Sequence, residues 1–160
     1  MYCCHYSSPL GDIIIASDGE ALTGLWFSDQ KYACAGLEAP IEDASLPIFR
    51  QCRLWLDAYF SGATLPPLPP LSPKGTEFQK RVWKELTSVG YGQLDSYGEI
   101  AERVGCKSAR AVGTAIGRNP ICILIPCHRI VGSKGKLTGY AGGIERKRWL
   151  LELEGIAVDQ

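Results

Sequence analysis

Ser96-Tyr97-Gly98-Glu99-Ile100-Ala101-Glu102-Arg103-Val104-Gly105-Cys106-Lys107-Ser108-Ala109-Arg110-Ala111-Val112-Gly113-Thr114-Ala115-Ile116-Gly117 reads as two short helices joined by a turn. Ser96 and Glu99 have capping-box spacing, and that helix runs through Ile100 and Val104 until Gly105 stops it. Ser108 caps the second, from Ala109 to about Gly117. This order matches a helix-turn-helix. The second helix is poor in bulky residues and carries Arg110 near its start. Small side chains let a helix backbone approach a nucleic acid, and the N-terminal end of a recognition helix is where an arginine reaches bases. An ordinary core helix, packed tightly because it is small, fits the same pattern.

Outward from this unit, Thr76-Glu77-Phe78-Gln79 is another capping box. It opens a helix with Phe78, Val82, Leu86 and Val89 as its apolar stripe, ended by Gly90-Tyr91-Gly92. Upstream, Leu65 to Pro73 carries five of the ten prolines. Lacking amide donors, it is neither helix nor central strand. It reads as an extended connector packed against the body of the protein. Before it, Ile13–Ser17 and Leu22–Phe27 are β-type runs around an Asp18-Gly19 hairpin turn. Ile48 to Phe60 follows, with Leu54, Trp55, Ala58 and Tyr59 at helical spacing. The expected fold is α+β. A small N-terminal antiparallel sheet with a helix forms a scaffold lobe over residues 1–70. A mainly helical domain with a helix-turn-helix, winged-helix-like unit covers residues 74–160.

Charge is unevenly spread. The 160 residues balance 17 Lys and Arg against 17 Asp and Glu, yet residues 74–150 hold 14 basic and six acidic side chains, a net of +8. Residues 1–73 are net −5 and the last ten are net −3. A basic half is a candidate polyanion surface. The longest apolar stretch, Ile121 to Ile125, is far short of the roughly 20 residues a membrane helix needs. With no signal-like N-terminus, a cytoplasmic location and no membrane partner are expected. Seven cysteines in no framework spacing suit a reducing compartment. Cys3, Cys4 and His5 lack a second ligand pair, so no metal is expected.

One segment carries chemistry: Asn119-Pro120, Ile121-Cys122-Ile123-Leu124-Ile125, then Pro126-Cys127-His128-Arg129-Ile130-Val131. A thiol needs a base or positive charge nearby to become a thiolate. Cys127 has His128 and Arg129 directly after it, and a turn at Pro126 would bring thiol and imidazole together. Cys122, inside the apolar run, reads as a buried structural thiol. Downstream, Thr138-Gly139-Tyr140-Ala141-Gly142-Gly143 is a glycine-rich loop that lets a ligand approach its backbone. A helix from Ile144 to Leu153 follows, with Glu145, Arg146, Lys147 and Arg148 placed on its exposed side. Glu154, at its end, is either a solvated carboxylate or the acid that orients His128.

The Asn-Pro, apolar run, Pro-Cys-His-Arg order resembles the O6-alkylguanine-DNA alkyltransferases, also called methylated-DNA–protein-cysteine methyltransferases. The resemblance spans about Gly75 to Gly155. It includes Gly75–Gln79 with Val82-Trp83, Ser96-Tyr97, Ala109–Gly113, Arg118–Pro120, Ile125–Val131, Gly139–Gly143, Lys147 and Trp149–Leu151. The N-terminal lobe matches more loosely, mainly through Leu22–Phe27.

The resemblance implies a single-use repair protein. It would flip O6-alkylguanine, and also O4-alkylthymine, out of double-stranded DNA and take the alkyl group onto Cys127. The roles it implies are specific. His128 takes the thiol proton through a water, with Glu154 polarising it. Asn119 braces the turn, Arg110 fills the gap left by the base, and Tyr97 crowds the phosphate. Tyr140 walls the pocket, and Lys147 assists the leaving group. The Cys127 and Ile130 carbonyls accept from the guanine amine, and the Ala141 amide donates to O6. Ala109, Ala111, Gly113, Ile116 and Arg118 complete the DNA-facing set. No cofactor is implied, and a monomer is expected. Some members bind zinc in the N-terminal lobe, which the single histidine there does not support. Some have serine at the place of Ala141, and relatives with tryptophan at the place of Cys127 only bind lesions. Two other classes fit parts of the sequence. A Cys-His hydrolase would turn over a peptide or ester, and a DNA-binding regulator would read one sequence regardless of Cys127.

Overall fold

Three strands, β1 (Tyr2–Ser8), β2 (Gly11–Ser17) and β3 (Leu22–Phe27), form an antiparallel meander in the computed structural model, which describes residues 1–158. A two-residue β4 (Ile41–Glu42) adds to β1 in parallel, giving the order β3-β2-β1-β4. All six residues of β3 are buried. On the sheet packs α1 (Pro47–Ser61), started by a proline in its first turn and stopped by Gly62 at φ 74°. Its buried stripe is Ile48, Phe49, Cys52, Trp55, Leu56 and Tyr59. Leu54, expected in the apolar stripe, is 56% exposed, because the true stripe steps past it. The proline-rich segment belongs to this unit, which runs from Met1 to Lys74. Leu71 bridges Leu22 in parallel, with Leu22 N donating to Pro70 O at 2.9 Å and Ser72 N to Leu22 O at 2.7 Å. The end of the segment is therefore docked as an extra edge of the sheet. His5 Nδ1 lies 2.9 Å from Asp12 Oδ2, and among the described residues no three His, Cys, Asp or Glu side chains are grouped to hold a metal.

The second unit, Gly75–Gln160, is built on α2 (Glu77–Leu86). Thr76 Oγ1 accepts from Gln79 N while Gln79 Oε1 accepts from Thr76 N, a complete capping box. Val82, Trp83 and Leu86 face inward, and Trp83 Nε1 donates to Ala115 O at 2.8 Å. That bond ties α2 to α4 (Ala109–Gly117), which α3 (Tyr97–Arg103) precedes. Gly105 at φ 69° makes the turn between them, a conformation that costs a glycine little. Ser96 and Ser108 cap the two helices by accepting from Glu99 N and Ala111 N. A short parallel pair, β5 (Asp95–Ser96) with β6 (Ile130–Val131), ties the start of α3 to the segment after Cys127. The last helix, α5 (Ile144–Leu153), closes the unit. Among the described residues no helix is long and apolar enough to cross a membrane.

Gly24 of β3 has the indole of the buried Trp26 folded across it, within 2.5 Å of where a Cβ would stand. Gly24→Ala should force that ring from its seat and cost about 1–3 kcal/mol. Urea unfolding of the purified variant checks this, and unchanged stability would show that the ring moves freely.

Candidate active site

The apolar run Ile121–Ile125 forms a buried hook, and the side chain of Asn119 closes it. Asn119 Oδ1 accepts from Ile121 N at 3.0 Å and Nδ2 donates to Ile125 O at 2.8 Å. Within the hook Leu124 N donates to Cys122 O at 2.8 Å, with Ile123 between them at φ 70°. This is a γ-turn of the rare, strained hand, and a β-branched residue at positive φ is an outlier. Next comes an inverse γ-turn at Pro126 (φ −81°, ψ 63°), with Cys127 N donating to Ile125 O at 2.8 Å. The chain then enters a short 3-10 turn, Cys127–Arg129. Strain of this kind costs of order 1–3 kcal/mol and collects at functional sites.

The Cys127 thiol is held below the usual thiol range. A hydrogen bond from the Cys122 side chain is the largest cause, a second comes from Asn119, and the charge of Lys147 adds to them, together outweighing burial. Cys122, read from sequence as a buried structural thiol, is fully buried. Lys147 is a correction. Expected on the exposed face of α5, it is fully buried, with Nζ donating to Ile130 O at 2.5 Å and Thr138 O at 3.2 Å. Burial lowers its pKa to about 8, against the opposing pull of Cys127. Its Nζ also sits 5.9 Å from the centre of the Tyr97 ring. Thr138 Oγ1 donates to the Tyr97 hydroxyl at 3.1 Å. Burial raises the Tyr97 pKa and the Cys127 charge adds to the rise, with Thr138 opposing.

His128 and Glu154, 26 residues apart, meet at 2.7 Å between Nε2 and Oε2. Burial holds His128 below its usual range, despite the carboxylate. A neutral imidazole that donates from Nε2 keeps Nδ1 as its basic nitrogen. Arg129 grips the same carboxylate with Nε at 2.8 Å and Nη2 at 3.1 Å, while Nη1 donates to Val89 O at 2.7 Å. Gly92 N completes the set at 3.0 Å. Burial pushes Glu154 up, but the bonds from His128 and Arg129 prevail and hold it at about 2. Sequence reading took Arg129 only as a nearby positive charge and missed this clamp.

The remaining expected residues divide between surface and core. Ala109, Arg110, Ala111, Thr114, Gly117 and Arg118 are exposed and Gly113 is half-buried, so α4 presents a face of small side chains with an arginine at each end. Ile116 does not belong to that face. It is 4% exposed and lies with Val112 and Ala115 on the inward side of α4, which corrects its place in the DNA-facing set. Tyr140 and Ala141 are half-buried in the loop before α5, where Gly143 N donates to Tyr140 O at 2.9 Å. The Ile130 carbonyl holds Lys147, and the Cys127 carbonyl accepts from Ile130 N. Each oxygen has a second lone pair.

Glu154 contributes stability that is fully present above the 4.5 of an ordinary glutamate and is lost as pH falls through about 2. Glu154→Gln leaves Arg129 buried without its counter-charge and should cost about 3–5 kcal/mol at neutral pH. The difference from the parent should shrink below pH 4.5. Urea unfolding at pH 7, 4 and 3 reads it, and a constant difference would contradict the clamp.

Residues 77–156 match the family described as 6-O-methylguanine DNA methyltransferase, DNA binding domain, and residues 1–68 match its ribonuclease-like domain. A methylated-DNA–protein-cysteine methyltransferase of Haemophilus influenzae is 44% identical over 158 residues, 98% of this chain and 87% of the relative. The Mycobacterium leprae protein of the same name is 46% identical over 155 residues, covering 96% of this chain and 92% of its own. Among solved structures, Mycobacterium tuberculosis OGT in complex with DNA superposes with a TM-score of 0.88 at 44% identity, covering 96% of this chain and 92% of that one. With both family domains matched along most of its length, the chain belongs to the methylated-DNA–protein-cysteine methyltransferase family.

Proposed function

We propose that this chain repairs O6-alkylguanine in double-stranded DNA, and O4-alkylthymine as well, by moving the alkyl group onto its own Cys127. The observation that carries the reading is a buried thiol held below its usual pKa in a strained hook, in the same unit as a helix-turn-helix. The β5–β6 pair ties the start of α3 to the strand after Cys127. The named relatives and the DNA-bound structure point the same way. The site acts as a monomer in the cytoplasm, next to the genome it maintains.

The electron flow is one displacement. The Cys127 sulfur attacks the alkyl carbon, a carbon–sulfur bond forms, and the carbon–O6 bond breaks with its pair on oxygen. The thiol proton passes to Nδ1 of His128 through a water, and Glu154 steadies the resulting charge. Lys147, poised at about 8, supplies a proton toward O6. A thioether has no route back to thiol here, so each chain acts once. Asn119 keeps the hook closed around the sulfur. The second lone pairs of the Cys127 and Ile130 carbonyls take the guanine amine, the Ala141 amide takes O6, and Tyr140 walls the pocket. A lesion pairs poorly, so flipping it costs only a few kcal/mol. Arg110 fills the vacated stack, Tyr97 crowds the phosphate, and Ala109, Ala111, Gly113 and Arg118 lie along the DNA.

Incubation with duplex bearing O6-methylguanine should add one methyl mass per chain, on the peptide containing Cys127, with no turnover. Cys127→Ser should abolish it. Repeated turnover, or label on another cysteine, would overturn the reading.

Flipping and chemistry separate on two substrates. Arg110→Ala should slow transfer from duplex tenfold or more, in proportion to the lost stacking. With free O6-benzylguanine it should react at nearly the parental rate, since nothing is extruded. Equal loss on both would place Arg110 in the fold rather than in flipping.

A further inference from the structure

Two residues of the proposed transfer, Tyr97 and Lys147, meet at a third that has no role in it. Thr138 opens the glycine-rich loop before α5. Its Oγ1 donates to the Tyr97 hydroxyl at 3.1 Å, and its main-chain oxygen accepts from Lys147 Nζ at 3.2 Å. Tyr97 begins α3 and Lys147 belongs to α5, so one loop residue joins two helices that are distant in the chain. Packing holds the pair in place. The Thr138 methyl lies 3.1 Å from where a Cβ of Gly132 would stand, and the Tyr97 ring comes within 3.8 Å of the same point at Gly113 of α4. The direction of the hydroxyl bond decides what Tyr97 can do. A phenol has one hydrogen to give and lone pairs that accept. If Tyr97 donated to Thr138, that hydrogen would be spent inside the loop. With Thr138 as the donor, it is kept for a group in the pocket. The bond lowers the Tyr97 pKa, against burial and the Cys127 charge, as a bond donated to the phenol oxygen does.

We infer that Thr138 is a positioning residue for the transfer, whose hydroxyl turns the Tyr97 O–H toward the extruded base beside the Lys147 amine. This rests on the alkyl-transfer reading and adds to it the group that sets the direction of the Tyr97 hydroxyl. The base, rather than the DNA backbone, is the acceptor for two reasons. Thr138 fixes this hydroxyl at the residue that also holds Lys147, whose proton goes to the purine oxygen in the proposed transfer. The Lys147 amine itself stands 5.9 Å from the centre of the Tyr97 ring. An O6-alkylated purine presents unprotonated ring nitrogens, which accept such a bond. No covalent bond changes at Thr138. Its carbonyl stays whatever its side chain, so substitutions there act on Tyr97 and leave the bond to Lys147 available.

The test compares Thr138→Val, Tyr97→Phe and the double variant with the parent, all as the full chain. Three rates are read: single-turnover methyl transfer from O6-methylguanine duplex, benzyl transfer from free O6-benzylguanine, and alkylation of Cys127 by iodoacetamide, followed by peptide mass. Thr138→Val keeps the shape and the carbonyl and loses the donor. It should slow transfer from both substrates about five- to tenfold, the worth of one hydrogen bond. Iodoacetamide, which has no base to be held, should react at the parental rate. In the Tyr97→Phe background the valine should add nothing, because the hydroxyl it acts through is gone. Thr138→Ser, which keeps the donor, should retain most of the parental transfer rate. If Thr138→Val does not fold, Thr138→Ala takes its place in the same set. Transfer by Thr138→Val at the parental rate, additive losses in the double variant, slowing on duplex alone, or equal slowing with iodoacetamide would each overturn the inference. Failure of the parent to take an alkyl group from either substrate would instead sink the alkyl-transfer reading.

Discussion

Glu154 is a single carboxylate buried at the end of the last helix, and it receives His128, two nitrogens of Arg129 and the amide of Gly92. A lone charge in such a place would be prohibitively costly, and the four donors make it tolerable. Through them the end of α5, the turn carrying Cys127 and the loop after α2 are fixed to one point. Arg129 extends the grip to Val89 O. The orientation of His128 follows from the same carboxylate, while burial keeps its pKa low. Remove the charge, and the three segments lose this common anchor.

The hook before Cys127 is held differently, by neutral groups. Asn119 replaces two backbone partners that no regular element provides there, which pairs Ile121 N and Ile125 O where the five apolar residues turn inside the core. The strain at Ile123 is thus supported by satisfied hydrogen bonds and by burial. An acidic clamp on one side of the turn and an amide clamp on the other leave the sulfur little freedom, the kind of preorganisation that chemistry on a fixed geometry needs.

Much of this was legible in the chain. Capping residues and glycines mark α3, α4 and their turn, because those signals act locally. The Pro-Cys-His-Arg block announces its chemistry through residue types. Burial was harder to read. Lys147 lies three and four residues before Leu150 and Leu151, on the inward stripe of α5, but its neighbours Glu145, Arg146 and Arg148 made the segment look uniformly solvated. Helical spacing, weighed above charge, would have placed it inside. Arg129 acts through a partner set by folding, Glu154 far along the chain, and no local pattern encodes that meeting. β1 escaped notice because its alternation is blurred by two adjacent buried cysteines, and Ile116 because small-residue character was taken for a surface.

The buried amine of Lys147 bears on timing. Its cation is met by two carbonyl dipoles and, once Cys127 is ionised, by the negative sulfur, so that each ion favours the other. When the sulfur becomes a thioether it carries no charge, and the ammonium loses its counter-ion inside a desolvated pocket. Its hold on the proton then loosens, at the stage when the departing purine oxygen becomes basic. Acid strength at this position is therefore a variable that rises with the extent of bond transfer. In the proposed role of Lys147 as proton donor, the nucleophile, by being consumed, arms the acid that completes its own reaction.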